Sequence, residues 1–103
     1  MTLYKYTLYS FSHGDIICDE LEGYEEKPKS YTRQNSTKRI PKDCIGNVIH
    51  DLPACWYLFL LERDDDKARE LIADAIKKEI QEEERKFQEK KVALEEKLSE
   101  ISK

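Results

Sequence analysis

The last third of the chain contains neither proline nor glycine from Lys67 to its end, and Ala, Glu, Lys, Leu, Gln and Arg dominate it. These residues have high helix propensity, and nothing interrupts them. Three acids, Asp64 to Asp66, stand just before this stretch, where carboxylates cap a helix and favour the positive end of its dipole. We therefore predict one helix over residues 64–103, with about 36 residues after the cap and a length of about 54 Å.

The first turns of this helix carry a broad apolar face. Its members follow the i, i+3, i+4, i+7, i+8 spacing: Ala68, Leu71, Ile72, Ala75 and Ile76. A face of this width is typical of a helix that packs on a sheet. We therefore expect the first turns to belong to the core and the remainder to serve another purpose.

Farther along, a narrower apolar stripe recurs every seven residues. It consists of Ala73, Ile80, Phe87, Leu94 and Ile101, with Leu98 beside it. A seven-residue repeat keeps one edge of a helix facing a partner helix, which predicts self-association through Ile80, Phe87, Leu94, Leu98 and Ile101. The coiled-coil signal is weak because the companion positions Lys77, Glu84 and Lys91 are charged. The alternative is a solvated helix that rests its apolar residues on another surface, including the protein's own.

The first 63 residues read as a β-rich module that opens with a hairpin. Leu3–Phe11 is rich in β-forming residues with rough alternation, a polar break with a glycine follows, and Ile16 resumes the apolar character. We expect the second strand to continue to about Tyr24, with Gly23 marking a bulge. A second hairpin is predicted from Ser30–Arg33 and 38–40, joined by a polar turn.

The most apolar segment is Ala54–Leu61, which shows no alternation. This pattern predicts a central strand covered on both faces, with Trp56, Leu58 and Leu60 in the core, facing the helix or the opposite side of the sheet. Residues 42–53 are compatible with a short helical turn or an irregular connector. The predicted fold class is therefore α+β, a small antiparallel β-sheet module over residues 1–63 followed by one long helix over 64–103 with weak coiled-coil character.

The charge distribution narrows the ligand classes. The 103 residues carry a net charge of -4, which argues against unspecific binding to nucleic acid or to an anionic membrane. Residues 24–42 are the exception, with six basic and two acidic residues. Cations, an aromatic ring and short polar side chains together suit an anionic or nucleotide ligand. The predicted binding residues are Lys29, Tyr31, Arg33, Asn35, Lys38 and Arg39. The alternative is a hairpin edge kept soluble by its cations.

No catalytic or metal-binding pattern stands out in the sequence. The three cysteines, Cys18, Cys44 and Cys55, lack a CxxC spacing and are expected to be free thiols in a reducing cytosol. His13 or His50 could act as a base and Ser12 or Cys55 as a nucleophile, but no spacing links them. We expect neither an enzyme nor a bound cofactor or metal. Because the chain shows neither a signal peptide nor a membrane-spanning segment, we expect it in the cytoplasm.

Three short motifs in this chain resemble segments of other small proteins. They are Leu3-Tyr4-Lys5-Tyr6, then Arg39-Ile40-Pro41-Lys42 with Ile45-Gly46, and finally Leu61-Glu62-Arg63-Asp64-Asp65 with Lys67-Ala68. Together with the charged helix, they resemble small accessory proteins encoded by phages and prophages of low-GC Gram-positive bacteria. The resemblance implies a phage-associated role in the host bacterial cytosol and brings no active site with it.

These observations favour a noncatalytic, homo-oligomeric binding protein. By analogy with phage accessory proteins, its expected role is that of a counter-defence inhibitor that captures a host protein or a small nucleotide-like anion. The alternative is a nucleic-acid-binding regulator that uses the basic segment 27–42. A membrane partner is not expected.

Overall fold

The computed structural model describes residues 1–34 and 36–102. Its strands are β1 (Leu3–Tyr9), β2 (Ile17–Leu21), β3 (Tyr24–Glu26), β4 (Ser30–Arg33), β5 (Arg39–Pro41), β6 (Ile49–Asp51) and β7 (Cys55–Leu60). A single 3-10 turn spans Lys42–Cys44, and the helix α1 spans Asp65–Ile101. The predicted α+β fold class is confirmed.

The strands form two antiparallel sheets. The larger sheet has the order β2-β1-β7-β6, and the smaller has the order β3-β4-β5. Both predicted hairpins are confirmed, since β1 pairs with β2 and β4 pairs with β5. The predicted central strand is also confirmed, because β7 lies between β1 and β6.

The expected continuation of the second strand to Tyr24 is wrong. Strand β2 ends at Leu21, and Tyr24 opens the separate strand β3 in the other sheet. Gly23 has a φ of 82°, a conformation that extended β backbone does not use and that glycine adopts without a steric penalty. The glycine therefore turns the chain from one sheet to the other.

Residues 42–53 contain the short helical turn that was one of the two structures the sequence left open, and also a strand that neither of them included. After the 3-10 turn, Ile45 forms a bridge with Phe59, and the amide of Gly46 donates a hydrogen bond of 2.8 Å to the carbonyl oxygen of Phe59. The segment then supplies the edge strand β6, which pairs with β7 from Ile49 to Asp51. A strand of three residues is too short to show the alternation that sequence reading depends on.

One face of the larger sheet packs against the smaller sheet. Leu3 and Phe59 on the larger sheet share a buried cluster with Tyr24, Tyr31 and Ile40 on the smaller one. Leu21, Cys44, Ile45 and Tyr57 are partly buried against the same cluster. This inter-sheet core positions the site described below.

The other face of the larger sheet meets the start of the helix. Tyr6 and Leu58 are register partners, and both are almost fully buried, as are Ala68 and Ile72 of α1. Asp64 caps the helix, its Oδ1 accepting a hydrogen bond of 3.0 Å from the amide of Lys67. The helix thus begins where the sequence indicated. Of the face that was predicted to pack, Ala68 and Ile72 are buried, and Leu71, Ala75 and Ile76 are partly buried.

Leu58 and Leu60 are buried as predicted, whereas the prediction for Trp56 is only partly right. Its indole is half-buried and stacks on the His50 ring, with centroids 4.3 Å apart. His50 belongs to the three-residue edge strand β6, so Trp56 packs beside a sheet edge instead of in the centre of the core.

The chain divides into two compact units, residues 1–73 and 74–103. The first holds both sheets and the opening turns of α1, and the second continues the helix. In the second unit, the described side chains from Ile80 to Ser102 are exposed. No helix in the described part of the chain is long and apolar enough to cross a membrane.

Candidate functional site

An open cleft of about 470 Å³ lies between the two sheets in the first unit. Strands from both sheets contribute to it. Its lining residues are Lys5, Asp19, Leu21, Tyr24, Lys38, Arg39, Ile40, Pro41, Cys44, Ile49, Tyr57 and Phe59. Clefts that bind small molecules commonly enclose about 300–1,000 Å³ and are mainly apolar with a few polar groups, so both size and composition suit a small ligand.

The floor of the cleft is aromatic and aliphatic. Tyr57 and Phe59 come from β7, and their rings meet edge to face with centroids 5.9 Å apart. Both point to the inter-sheet side because residues two apart in a strand share a face. Tyr24 and Ile40 close the floor from the smaller sheet. A flat ring could lie against this surface and exclude water from it.

Three cations border this floor. The ammonium of Lys5 lies 4.9 Å from the centroid of the Tyr57 ring and 6.0 Å from that of Phe59, so the aromatic pair holds the charge in place. Lys38 and Arg39 enter from the smaller sheet. Because Asp19 is the one acidic residue in the described lining, the cleft has a local positive charge in a chain whose net charge is -4.

Among the described residues, Lys38 and Arg39 differ from Lys27 and Lys42 of the basic segment in having no acidic partner. The ammonium of Lys27 lies 3.3 Å from Glu25 and that of Lys42 lies 2.9 Å from Glu26. No such ion pair joins Lys38 or Arg39 to another residue within 1–34 and 36–102. Their charges are therefore available to a ligand.

The hydroxyl of Tyr57 stays protonated well above neutral pH. Burial raises the pKa of this phenol first, and the nearby Asp51 carboxylate adds to the effect. A neutral phenol keeps its O–H donor, which can bond to a ligand oxygen. The cleft therefore combines cationic groups, a neutral donor and aromatic faces.

The structure brings only part of the predicted site together. Lys38 and Arg39 line the cleft, whereas Lys29 and Arg33 are exposed and lie outside its lining. The guanidinium carbon of Arg33 instead lies 5.7 Å from the centroid of the Tyr24 ring. Asn35 falls outside the described residues.

Tyr31, which was predicted to stack on a ligand, does not line the cleft. This side chain is only 4 % exposed and belongs to the inter-sheet core, and the ammonium of Lys42 lies 5.6 Å from its ring centroid. Tyr31 pairs with Ile40 and shares the inward face of the smaller sheet. The alternation of the hairpin therefore turns this ring away from solvent. Partly buried Tyr57 supplies the aromatic surface of the cleft instead, and Phe59, which is buried in the same core cluster as Tyr31, supports it from behind.

Sequence reasoning missed Lys5, Tyr57 and Phe59. They lie on β1 and β7, far in sequence from the basic segment, and only the packing of the two sheets brings them beside Lys38 and Arg39. One signal was present in the sequence: Lys5 shares a strand face with Leu3 and Thr7, both of which are buried in the structure. A lysine on an inward face needs a partner, here an aromatic pair.

The residues considered for catalysis have structural roles where their contacts are defined. The hydroxyl of Ser12 accepts a hydrogen bond of 3.1 Å from the amide of Asp15 and donates one of 3.2 Å to its carbonyl oxygen, which shapes the turn between β1 and β2. His50 stacks on Trp56, and Cys55 is buried. In residues 1–34 and 36–102, no group of three or more His, Cys, Asp or Glu side chains is arranged to hold a metal ion.

The residues predicted to mediate self-association lie on an exposed helix surface. The exposed fraction is 53 % for Ile80, 67 % for Phe87 and 81 % for Ile101. Phe87, Leu94 and Leu98 line a shallow groove of about 280 Å³ that is flanked by Lys90, Lys91 and Glu95. Contiguous exposed apolar side chains are typical of interaction surfaces.

Comparisons with family models, curated proteins and solved structures give no match to this chain.

Proposed function

We propose that this protein is a noncatalytic, oligomeric binding protein that captures a small nucleotide-like anion in the cleft between its sheets. The observation that carries the proposal is the placement of Lys5, Lys38 and Arg39 around the aromatic pair Tyr57 and Phe59. Cations recognise phosphate, and aromatic faces accommodate a base, so the two halves of a nucleotide have complementary surfaces in one cleft.

Each side chain has a distinct task in this proposal. Arg39 offers a guanidinium that can bind two phosphate oxygens at once, and Lys38 adds a second positive charge at the same rim. Lys5, held over the Tyr57 ring, lies deeper and meets the part of the ligand next to the base. Tyr57 packs on the base itself with Phe59 supporting its ring from the core, while Asp19 can accept a hydrogen bond from an exocyclic amine or a ribose hydroxyl.

Self-association through the exposed stripe of α1 completes the proposal. The stripe comprises Ile80, Phe87, Leu94, Leu98 and Ile101, which are exposed in one chain. Burying these side chains against another helix is favourable because it removes apolar surface from water. An oligomer also presents more than one cleft, which raises the capacity of each assembly for ligand.

The resemblance to phage accessory proteins supports a counter-defence role in the host cytosol, in which the cleft removes a nucleotide signal. Capture of a host protein is the other form of this role. The nucleic-acid regulator is favoured less, because Lys27 and Lys42 of the basic segment are paired with Glu25 and Glu26 and the chain is acidic overall.

Identification of the ligand tests the proposal. The protein is purified from bacteria and denatured, and small molecules released from it are identified by mass spectrometry. Titration calorimetry with linear nucleotides, cyclic nucleotides and short single-stranded DNA follows. The proposal expects saturable binding of a nucleotide, with the base contributing to affinity beyond inorganic phosphate alone.

Two results would contradict it. Binding only to DNA, with a steep loss of affinity as salt rises, would support the regulator instead. An absence of binding to every nucleotide would leave a protein target as the better candidate.

A further inference from the structure

The exposed stripe of α1 carries charged residues in a pattern that decides how two copies can pair. We assign heptad position d to the apolar repeat Ile80, Phe87, Leu94 and Ile101. Position a, the other position in the seam, is then occupied by Lys77, Glu84, Lys91 and Leu98. All of these side chains are exposed in a single chain. Position a lies inside the seam of a coiled coil, so its charges must be accommodated there.

A parallel pair in register brings each position a residue opposite its own copy. Lys77 then faces Lys77, Glu84 faces Glu84 and Lys91 faces Lys91. Like charges held together in a partly desolvated seam are unfavourable. The charge pattern therefore disfavours this arrangement.

An antiparallel pair places each position a residue opposite a position d residue. We propose that α1 pairs in this way with a second copy of the chain, in the register that sets Ile80 opposite Leu98 and Phe87 opposite Lys91. The inference rests on the self-association in the proposed function and specifies its geometry. In this register, the pairs Leu94 with Glu84 and Ile101 with Lys77 complete the seam, and the long charged side chains pack their aliphatic parts on apolar partners.

Opposite charges meet in this register. Glu84 of one copy lies one layer from Lys91 of the other, and Glu83 lies across from Lys97 at the edge of the seam. The two-fold symmetry makes each contact twice. Lys90 and Lys91 come nearest to their own copies at the two-fold axis, where Lys90 extends to solvent and Lys91 extends toward Glu84.

Neighbouring registers lose the layer that pairs Ile80 with Leu98. A shift of one heptad brings Glu84 next to Glu84 in one direction and Lys90 across from Lys97 in the other. Of these three alignments, the proposed one alone combines Ile80 opposite Leu98 with Glu84 one layer from Lys91 of the other copy.

Disulfide trapping in the full chain tests the orientation. Chains carrying Ile80→Cys and chains carrying Leu98→Cys are oxidised separately and as a mixture. Mass spectrometry then identifies the linked peptides, which distinguishes the introduced disulfides from any that form through Cys18, Cys44 or Cys55. We expect an 80–98 link in the mixture and little 80–80 or 98–98 link, because like positions are separated by about 27 Å in this register. Strong 80–80 linkage in the Ile80→Cys protein alone would overturn the inference.

A charge-swap cycle on the dimer dissociation constant gives an independent test. Glu84→Lys and Lys91→Glu should each weaken the dimer about fivefold or more, and the double variant should recover most of the loss. Glu96→Lys, on the outer face of the helix, is the matched control, and circular dichroism confirms that each variant keeps its helix. Equal affinities for all variants would overturn the inference.

Sedimentation of the wild-type chain separates this inference from the wider proposal. A monomer at every concentration would overturn both the antiparallel pair and the self-association. A dimer with like-to-like links would overturn the orientation alone, and ligand binding in the cleft is measured independently by calorimetry.

Discussion

The hydroxyl of Tyr6 donates a hydrogen bond of 2.7 Å to Oδ1 of Asp65, joining the middle of β1 to the first residue of α1. The same hydroxyl accepts a hydrogen bond of 3.0 Å from the amide of Asp64. One buried phenol therefore satisfies two groups at the helix start, where amides have no partner within the helix. This contact fixes the position from which the long helix begins.

Tyr6→Phe should lower the free energy of unfolding by about 1–3 kcal/mol, since it leaves the Asp64 amide and the Asp65 carboxylate without this partner. Urea unfolding followed by circular dichroism measures the loss. Tyr4→Phe, at a half-buried position on the same strand, is the matched control and should cost less. Equal stability of Tyr6→Phe and wild type would show that the bond contributes nothing.

Alkaline pH should destabilise the protein partly through the same residue. Burial, followed by the hydrogen bond to Asp65, raises the pKa of Tyr6 far above its usual value of about 10. Because the folded state holds this proton more tightly than the unfolded state, the stabilisation is present below about pH 10 and is lost as the pH rises above it. Unfolding measured from pH 8 to 11 should show this decline.

Tyr57, whose pKa is also raised, contributes in the same direction, so Tyr6→Phe should reduce the decline without abolishing it. A decline of the same size in Tyr6→Phe and wild type would contradict the assignment to Tyr6.

Truncation of the central strand should be costly. Leu58 is fully buried, and Leu58→Ala should lower the free energy of unfolding by about 2–5 kcal/mol through lost burial and the cavity left behind. Leu61→Ala, at a side chain that is 43 % exposed, is the control and should cost less than about 1 kcal/mol. Similar losses at the two positions would be inconsistent with the core described here.

The oligomer should depend on the apolar stripe of the helix. Light scattering at micromolar concentration should give at least twice the mass of one chain, and Phe87→Glu with Leu94→Glu should reduce it by placing like charges in the seam. Val92→Glu, at an apolar side chain outside the stripe, should leave the mass unchanged. Loss of the oligomer in the Val92→Glu variant as well as in the double variant would point to a general charge effect. A monomeric wild type would contradict self-association.

Local patterns predicted most of the fold. The proline-free and glycine-free run predicted the helix, the break after Phe11 predicted the first hairpin, and the unalternating segment Ala54–Leu61 predicted the central strand. Each of these signals lies within a few residues of the feature it predicts. Gly23 was harder to interpret because a glycine after a strand is compatible with a bulge or with a change of sheet, and only the positive φ distinguishes them.

The candidate site was only partly predictable for a different reason. Lys38 and Arg39 were identified from local charge, but Lys5, Tyr57 and Phe59 join them through pairing between strands that are distant in sequence. Tyr31 was expected to face a ligand, but the direction of its side chain depends on which face of the hairpin meets the other sheet. Neither the pairing nor the facing side is encoded in the composition of a single segment.

Calorimetric titration of paired variants tests the central claim, that the cleft binds a nucleotide-like anion, most directly. Lys38→Ala with Arg39→Ala removes two cations that line the cleft, and Lys29→Ala with Arg33→Ala removes the same number of cations from outside its lining. The account predicts at least tenfold weaker nucleotide binding for the first pair and nearly unchanged binding for the second. Unchanged binding in the first pair, or equal losses in both, would contradict it.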